Sequence, residues 1–351
     1  MTNAQELKKI TDEISEIGKL MKQKQNFKLA ENKARKLYSQ YSNNVSVLNT
    51  LGIVLAHNSH LDESVTVLKK AIKLNPKDYS TYFNLSKTYE KYKKKIDQPK
   101  GGVEGDVVDF FLNLIIPLKQ EQRFTCLMKT IELKPDFVQA HHDLGIIYLN
   151  ENKLDLALSS LTNANEILPN AETFFKLGIV YSRKNNLTKA FENLKTAVRG
   201  NLSNDYWADI FFSIINKMST IPAVYFDENL EKIIEYNLVN QKNLDSSLMQ
   251  LSSRFILFSL KDLNTYFDNI ADEKLQLYKI LNFPLLNLHL KYCKIVDIEL
   301  EEILIKLRCS LLKRKINNKN PLYSKALDFF SSLAFHAFNN EYLWDFSIEE
   351  K

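Results

Sequence analysis

Residues 141–169 read HHDLGIIYLNENKLDLALSSLTNANEILP. His141, Leu144, Gly145 and Tyr148 fall at i, i+3, i+4 and i+7, the spacing of one helical face. A second helix carries Leu154, Ala157, Leu161 and Ala164 on its inner side, and Pro169 closes it. Small residues set among large ones predict two helices that cross closely.

The same order recurs outward from this stretch. Phe174, Leu177, Gly178, Tyr181, Leu187, Ala190, Leu194 and Ala197 repeat it, with Leu202 in the proline place. Upstream it returns as Leu48, Leu51, Gly52, Leu55, Leu61, Ser64, Leu68, Ala71 and Pro76. Near the N-terminus it is Ile14, Ile17, Gly18, Met21, Phe27, Ala30 and Ala34, with Ser42 for the proline. Gly18 to Gly52 and Pro135 to Pro169 are each 34 residues, and Gly145 to Gly178 is 33. A fixed period of this length is the mark of stacked helical hairpins.

One interval breaks the rule. Pro76 to Pro135 is 59 residues, 25 more than the period. The extra residues split a unit whose first helix has Tyr82, Leu85, Ser86 and Tyr89 and whose second has Arg123, Leu127, Thr130 and Pro135. The insertion, at about 93–117, opens on KKKIDQPKGGVEGD, which reads as an exposed loop. Its apolar tail places Val107, Phe110, Phe111, Leu114 and Ile115 on one stripe, which predicts a short amphipathic helix. That helix either folds back over the hairpins or meets a partner or a membrane surface. The cluster Gly101, Gly102, Gly105 follows no strand and lacks the Lys-Ser/Thr of a phosphate loop.

In these positions the chain resembles the tetratricopeptide repeat, with residues 138–171 matching its pattern at nearly every place. The resemblance implies a hairpin solenoid of about five repeats over residues 1–203, binding protein or peptide partners in a concave groove lined by the first helices. Carried over, the groove positions are Asn49 and Ile53, then Phe83, Asn84, Lys87 and Lys91, then His142, Ile146 and Asn150, then Phe175, Ile179 and Arg183. Asn amides suit an extended backbone, and the cations suit acidic groups or a terminal carboxylate. The Lys/Asn pairing does not complete the two-carboxylate clamp of chaperone-binding relatives.

The pattern stops near 204. Residues 204–218, NDYWADIFFSIINKM, are expected to cap the array as a further helix. Beyond Pro222, ENLEKIIEYNLV, SSLMQLSSRFILFSL and ADEKLQLYKILNF are helical in pattern. Asp297 suits a helix start, with acidic residues in the first turn, Lys313, Arg314 and Lys315 at the end, and Leu300, Leu304, Leu307 and Leu311 on one stripe. Pro321 opens a last helix with Phe330 and Leu333 inward. The expected class is therefore all-α throughout, with an all-helical C-terminal domain over 204–351. Asp297–Leu312 and Phe329–Tyr342 resemble the helical region that precedes the methyltransferase domain in bacterial tetratricopeptide-containing S-adenosylmethionine-dependent methyltransferases. That resemblance implies an alternative reading, the recruiting and linker part of such an enzyme. The Gly-rich strand–loop–helix of its catalytic domain does not occur in these 351 residues. A repeat region fused to a glycosyltransferase is a weaker third reading.

Composition narrows the field. A net charge of +5, from 47 basic and 42 acidic residues, gives no concentrated basic face and argues against nucleic acid. Three separated cysteines form no disulfide or zinc pattern, which points to a reducing, cytoplasmic setting. The N-terminus lacks an apolar signal region, and the most apolar stretch, 107–118, is too short to span a bilayer. Abundant Lys, Asn and Ile fit an AT-rich, bacterial genome. His57 and His60 lie in a turn without ligand partners, His141 takes the aromatic core place, and His289 and His336 fall on apolar helices. Glu301 and Glu302 sit where a helix dipole favours them. No catalytic, metal or cofactor site is expected, and the leading reading is a non-catalytic partner-binding scaffold.

Overall fold

The computed structural model describes residues 3–23, 26–96, 105–218, 226–240, 246–260 and 283–293, with 300, 303, 304, 329, 331 and 332. Among them are fourteen α-helices and no strand, so the fold is all-α. The helices are α1 (Asn3–Lys22), α2 (Phe27–Gln40), α3 (Val45–His57), α4 (Leu61–Leu74), α5 (Tyr79–Ile96), α6 (Gly105–Leu133) and α7 (Val138–Asn150). Then come α8 (Leu154–Ile167), α9 (Ala171–Arg183), α10 (Leu187–Gly200), α11 (Asp205–Lys217), α12 (Glu228–Val239), α13 (Ser246–Leu260) and α14 (Pro284–Tyr292). The chain divides into two compact units, Met1–Leu168 and Pro169–Lys351. The first holds four hairpins, each packed on the next. The second holds the fifth hairpin and the helices after it.

Three of the hairpins close on a glycine. A Cβ placed on Gly52 would stand 2.6 Å from Leu68, and on Gly145 and Gly178 it would stand 2.6 Å from Leu161 and Leu194. The leucine of the second helix therefore lies directly on the bare backbone of the first, sixteen residues before it in sequence. Gly18 departs from this and meets nothing within 4 Å. Its sixteenth neighbour is Ala34, and the leucine comes three places later as the buried Leu37. The first hairpin therefore keeps the glycine without the contact that requires it.

The turn between paired helices has its own recurring device. Ser59, Asn152 and Asn185 adopt left-handed backbone, with φ of 67°, 57° and 57°. The next N–H then reaches back into the last turn: His60 to the Leu55 carbonyl, Lys153 to Tyr148 and Asn186 to Tyr181, each at 2.9 Å. This is a Schellman closure with Asn or Ser in the place glycine usually takes. Asn side chains also open helices, as Asn44, Asn170, Asn186 and Asn204 each accept from the N–H three residues on.

At its described residues the insertion is helix. Against the neighbouring hairpins, residues 92–96 prolong α5 and residues 105–119 prolong α6, which runs unbroken through Pro117 to Leu133. At about 1.5 Å per residue the 29-residue α6 reaches about 43 Å, twice its 14-residue counterparts α4 and α8. Lysines favour helix as readily as loop, so Lys93–Lys95 continue α5. The stripe Val107–Ile115 lies outside the described side chains, and so does the choice between its two expected roles.

In the second unit one apolar core runs from Phe175 and Phe191 through Phe211, Phe212, Ile233 and Leu251 to Leu290, Leu304 and Phe329. Helix α11 stacks on α10 of the last hairpin, and α13 packs against it as well. Helices α12 and α13 coincide with the two segments expected from pattern. Segment 271–282 lies outside the described residues, and so do most of 294–351, including all but six residues of the two stretches that resemble the methyltransferase-linked region.

Candidate functional site

The first helices of successive hairpins present two rows that differ in what they meet. The row three residues before the glycine place holds Asn49, Phe83, His142 and Phe175. Asn49 is buried and donates through Nδ2 to Asp78 Oδ2 at 2.9 Å and Thr81 Oγ1 at 2.8 Å, at the start of the next first helix. Phe83 sets its ring edge-on to Phe137, 4.8 Å away, at the same place one hairpin later. Phe175 is 1% exposed, stacked on Trp207 at 4.9 Å and edge-on to Tyr206. These residues join one hairpin to the next. Asn49 and Phe175, expected in the groove, are buried in this structure and engaged in internal contacts. His142 shares their row, half-buried, with Nδ1 3.8 Å from Asp143 Oδ1 and a buried Nε2 that has no hydrogen-bond partner.

The open row lies beside it. Ile53 is exposed, Asn84, Lys87, Lys91 and Ile146 are half-buried, and Asn150 is exposed. Asn84 donates to Asn49 Oδ1 at 3.4 Å, and Lys91 Nζ donates at 3.2 Å to the Ala56 carbonyl in the last turn of α3. Burial and the nearby Lys91 ammonium hold the His57 pKa below the usual histidine range. In the second unit Ile179 is half-buried and Arg183 is exposed, in the last turn of α9.

Lys87 belongs to a charge cluster that the sequence reading missed. Its ammonium pairs with Glu90 on its own helix and with Asp143 Oδ2 at 3.1 Å on α7. Burial disfavours the ammonium, but Asp143 and Glu90 outweigh it and raise the Lys87 pKa above the ordinary value. Behind the pair lies Arg123 of α6, 7% exposed, its Nη2 3.4 Å from Glu90 Oε2 and 3.9 Å from Asp143 Oδ2. Its Nε is buried with no hydrogen-bond partner. The signal was available in the sequence: Arg123 stands where the other hairpins have Ala30, Ser64, Ala157 and Ala190, all fully buried.

The remaining polar groups serve packing. His141 is buried with Nε2 2.7 Å from the Pro135 carbonyl oxygen, and the buried His289 faces Ser252 Oγ at 2.6 Å and Ser253 Oγ at 3.3 Å. Lys195 pairs with Asp227, the cap of α12, at 2.8 Å. Among the described residues no three His, Cys, Asp or Glu side chains gather as a metal would need, and no helix is long and apolar enough to cross a membrane.

The family profile of the tetratricopeptide repeat matches residues 45–78, which are α3, α4 and the start of the next hairpin. A thermophilic TPR protein of Thermus thermophilus is 15% identical, with a TM-score of 0.44 over 59% of this chain and 99% of that one. A crystal structure of MamA protein is 18% identical, with a TM-score of 0.39 over 61% and 98%. MamA from Desulfovibrio magneticus RS-1, residue 41 to the end, is 17% identical, with a TM-score of 0.42 over 56% and 97%. No curated protein matches the chain significantly. Residues 45–78 thus match the tetratricopeptide repeat, and the described residues form an all-α fold.

Proposed function

We propose that this chain is a non-catalytic, cytoplasmic scaffold that holds a protein or peptide partner along the open faces of α3, α5 and α7. The observation that supports it most is the split between the two rows. The row holding Asn49, Phe83 and Phe175 ties hairpins together, while Ile53, Asn84, Lys87, Lys91, Ile146 and Asn150 present a mixed apolar and polar face with no packing role of comparable depth. Such a face suits an extended segment, with amides for its backbone and aliphatic side chains for its apolar positions.

A partner recovered by affinity capture and identified by mass spectrometry provides the test. Substituting Asn84, Lys91 and Asn150 together by alanine is expected to weaken its binding at least tenfold, the loss of about 1.4 kcal/mol across three contacts, beside a stability cost of about 1–2 kcal/mol for the two lost internal hydrogen bonds. Unchanged affinity in that variant overturns the reading.

A further inference from the structure

The cluster in the split hairpin has one arrangement in place and a second within reach. The oxygens Glu90 Oε2 and Asp143 Oδ2 both lie between the Lys87 ammonium and the Arg123 guanidinium. Both are nearer to Lys87. Arg123 stands off at 3.4 and 3.9 Å, outside good hydrogen-bond range, with its Nε unpartnered in a buried site. A buried guanidinium left in that condition is costly, and closing the remaining distance relieves it. Lys87 holds both carboxylates at closer range than Arg123 does. Lys87 is also the exposed member, with 42% of its side chain in solvent against 8% for Arg123.

We propose that the cluster is a charge-exchange device. An anionic group of the bound partner takes Lys87, Glu90 and Asp143 pass to Arg123, and the change is felt by α6. Lys91 lies one turn further along α5, so the open face of that helix offers an incoming carboxylate two ammonium groups one turn apart. The mechanical link is short: Arg123 lies four residues after the end of the segment, 105–119, by which α6 exceeds its counterparts. Occupancy of the open face is thereby coupled to the extended helix through one residue that replaces an alanine of the ordinary hairpin. The inference deepens the binding role proposed above and rests on it only for the source of the anionic group.

The test follows the Arg123 Nε–H resonance in the full chain labelled with ¹⁵N-arginine, assigned by its loss in Arg123→Ala. Lys87→Met removes the competing cation without any partner. The exchange predicts a downfield shift of the resonance and solvent exchange slowed about fivefold, the effect of roughly one added hydrogen bond. A capped octapeptide containing four glutamates is expected to reproduce the shift in the wild type, and its glutamine counterpart is not. The two substitutions must also be non-additive: Lys87→Met lowers the melting temperature by about 3 °C more when Ala replaces Arg123 than when Arg123 is present. A resonance unmoved by Lys87→Met, or additive melting shifts, overturns the exchange and leaves the binding role standing. A shift in Lys87→Met that the glutamate peptide fails to reproduce overturns the anionic trigger.

Discussion

Gly18→Ala and Gly145→Ala are the same chemical change at the same place in two hairpins of one unit, and the structure gives them opposite signs. At Gly145 the new methyl would lie 2.6 Å from Leu161 Cγ, 2.8 Å from Cδ2 and 3.3 Å from the Leu161 backbone nitrogen. Carbon atoms prefer about 3.5–4.0 Å, so the helices must part by about an ångström or the buried Leu161 must leave its rotamer. Rotation alone does not suffice, because the backbone nitrogen is also close. Overpacking of this kind costs about 1–3 kcal/mol, and the better helix propensity of alanine returns about 1 kcal/mol. The net expectation is a loss of about 0–2 kcal/mol. At Gly18 the methyl meets open space, so only the propensity gain of about 1 kcal/mol remains. Urea denaturation followed by circular dichroism reads the difference as a shift in midpoint at unchanged slope. A control isolates the clash: in a Leu161→Ala background, Gly145→Ala is expected to become stabilising, like Gly18→Ala. If Gly145→Ala stabilises the intact chain as much as Gly18→Ala does, the account of hairpin closure is wrong.

Other expectations follow from single contacts. Ser59→Gly removes a left-handed strain of about 1–2 kcal/mol at an entropic cost of about 0.5–1, so its urea midpoint should rise, and Asn152→Gly and Asn185→Gly should rise less. Phe175→Ala should destabilise by about 3–5 kcal/mol in calorimetry, as a core residue does; a loss confined to partner affinity would refute its placement. Burial acts to raise the Asp78 pKa, but hydrogen bonds from Thr81, Ser80 and Asn49 hold it below the ordinary value. A lowered folded pKa gives stability that is full above the unfolded value, about 3.9, and lost as pH falls through the folded one. Asp78→Asn should therefore flatten the acid limb of midpoint against pH below about 4, and an unchanged limb would contradict the assignment.

The hairpins were legible because glycine, alanine and proline mark places where backbones approach or helices stop, and those constraints repeat with the fold. The row assignment was less legible. Asn49 and Phe175 fall one helical position from the open face, and the crossing angle between neighbouring hairpins, which sequence does not display, decides which row is covered. The Lys87–Asp143 pair joins residues 56 apart across an insertion, so no local spacing announces it. Arg123 in an alanine place was visible and is the residue on which more weight belonged. The insertion is harder to read because a lysine run beside Gly and Pro resembles a loop, whereas Lys93–Lys95 continue α5 and helix resumes at Gly105.

The central claim, that a partner lies on the open first-helix face, is tested most directly by photo-crosslinking. A benzoylphenylalanine is placed at Asn150 or Ile53 on that face, and at Lys129 or Lys36 on second helices as controls. The account predicts adducts with the partner from Asn150 and Ile53, lost on competition with unlabelled chain, and none from the controls. Adducts from Lys129 and Lys36 without any from Asn150 or Ile53 would contradict it.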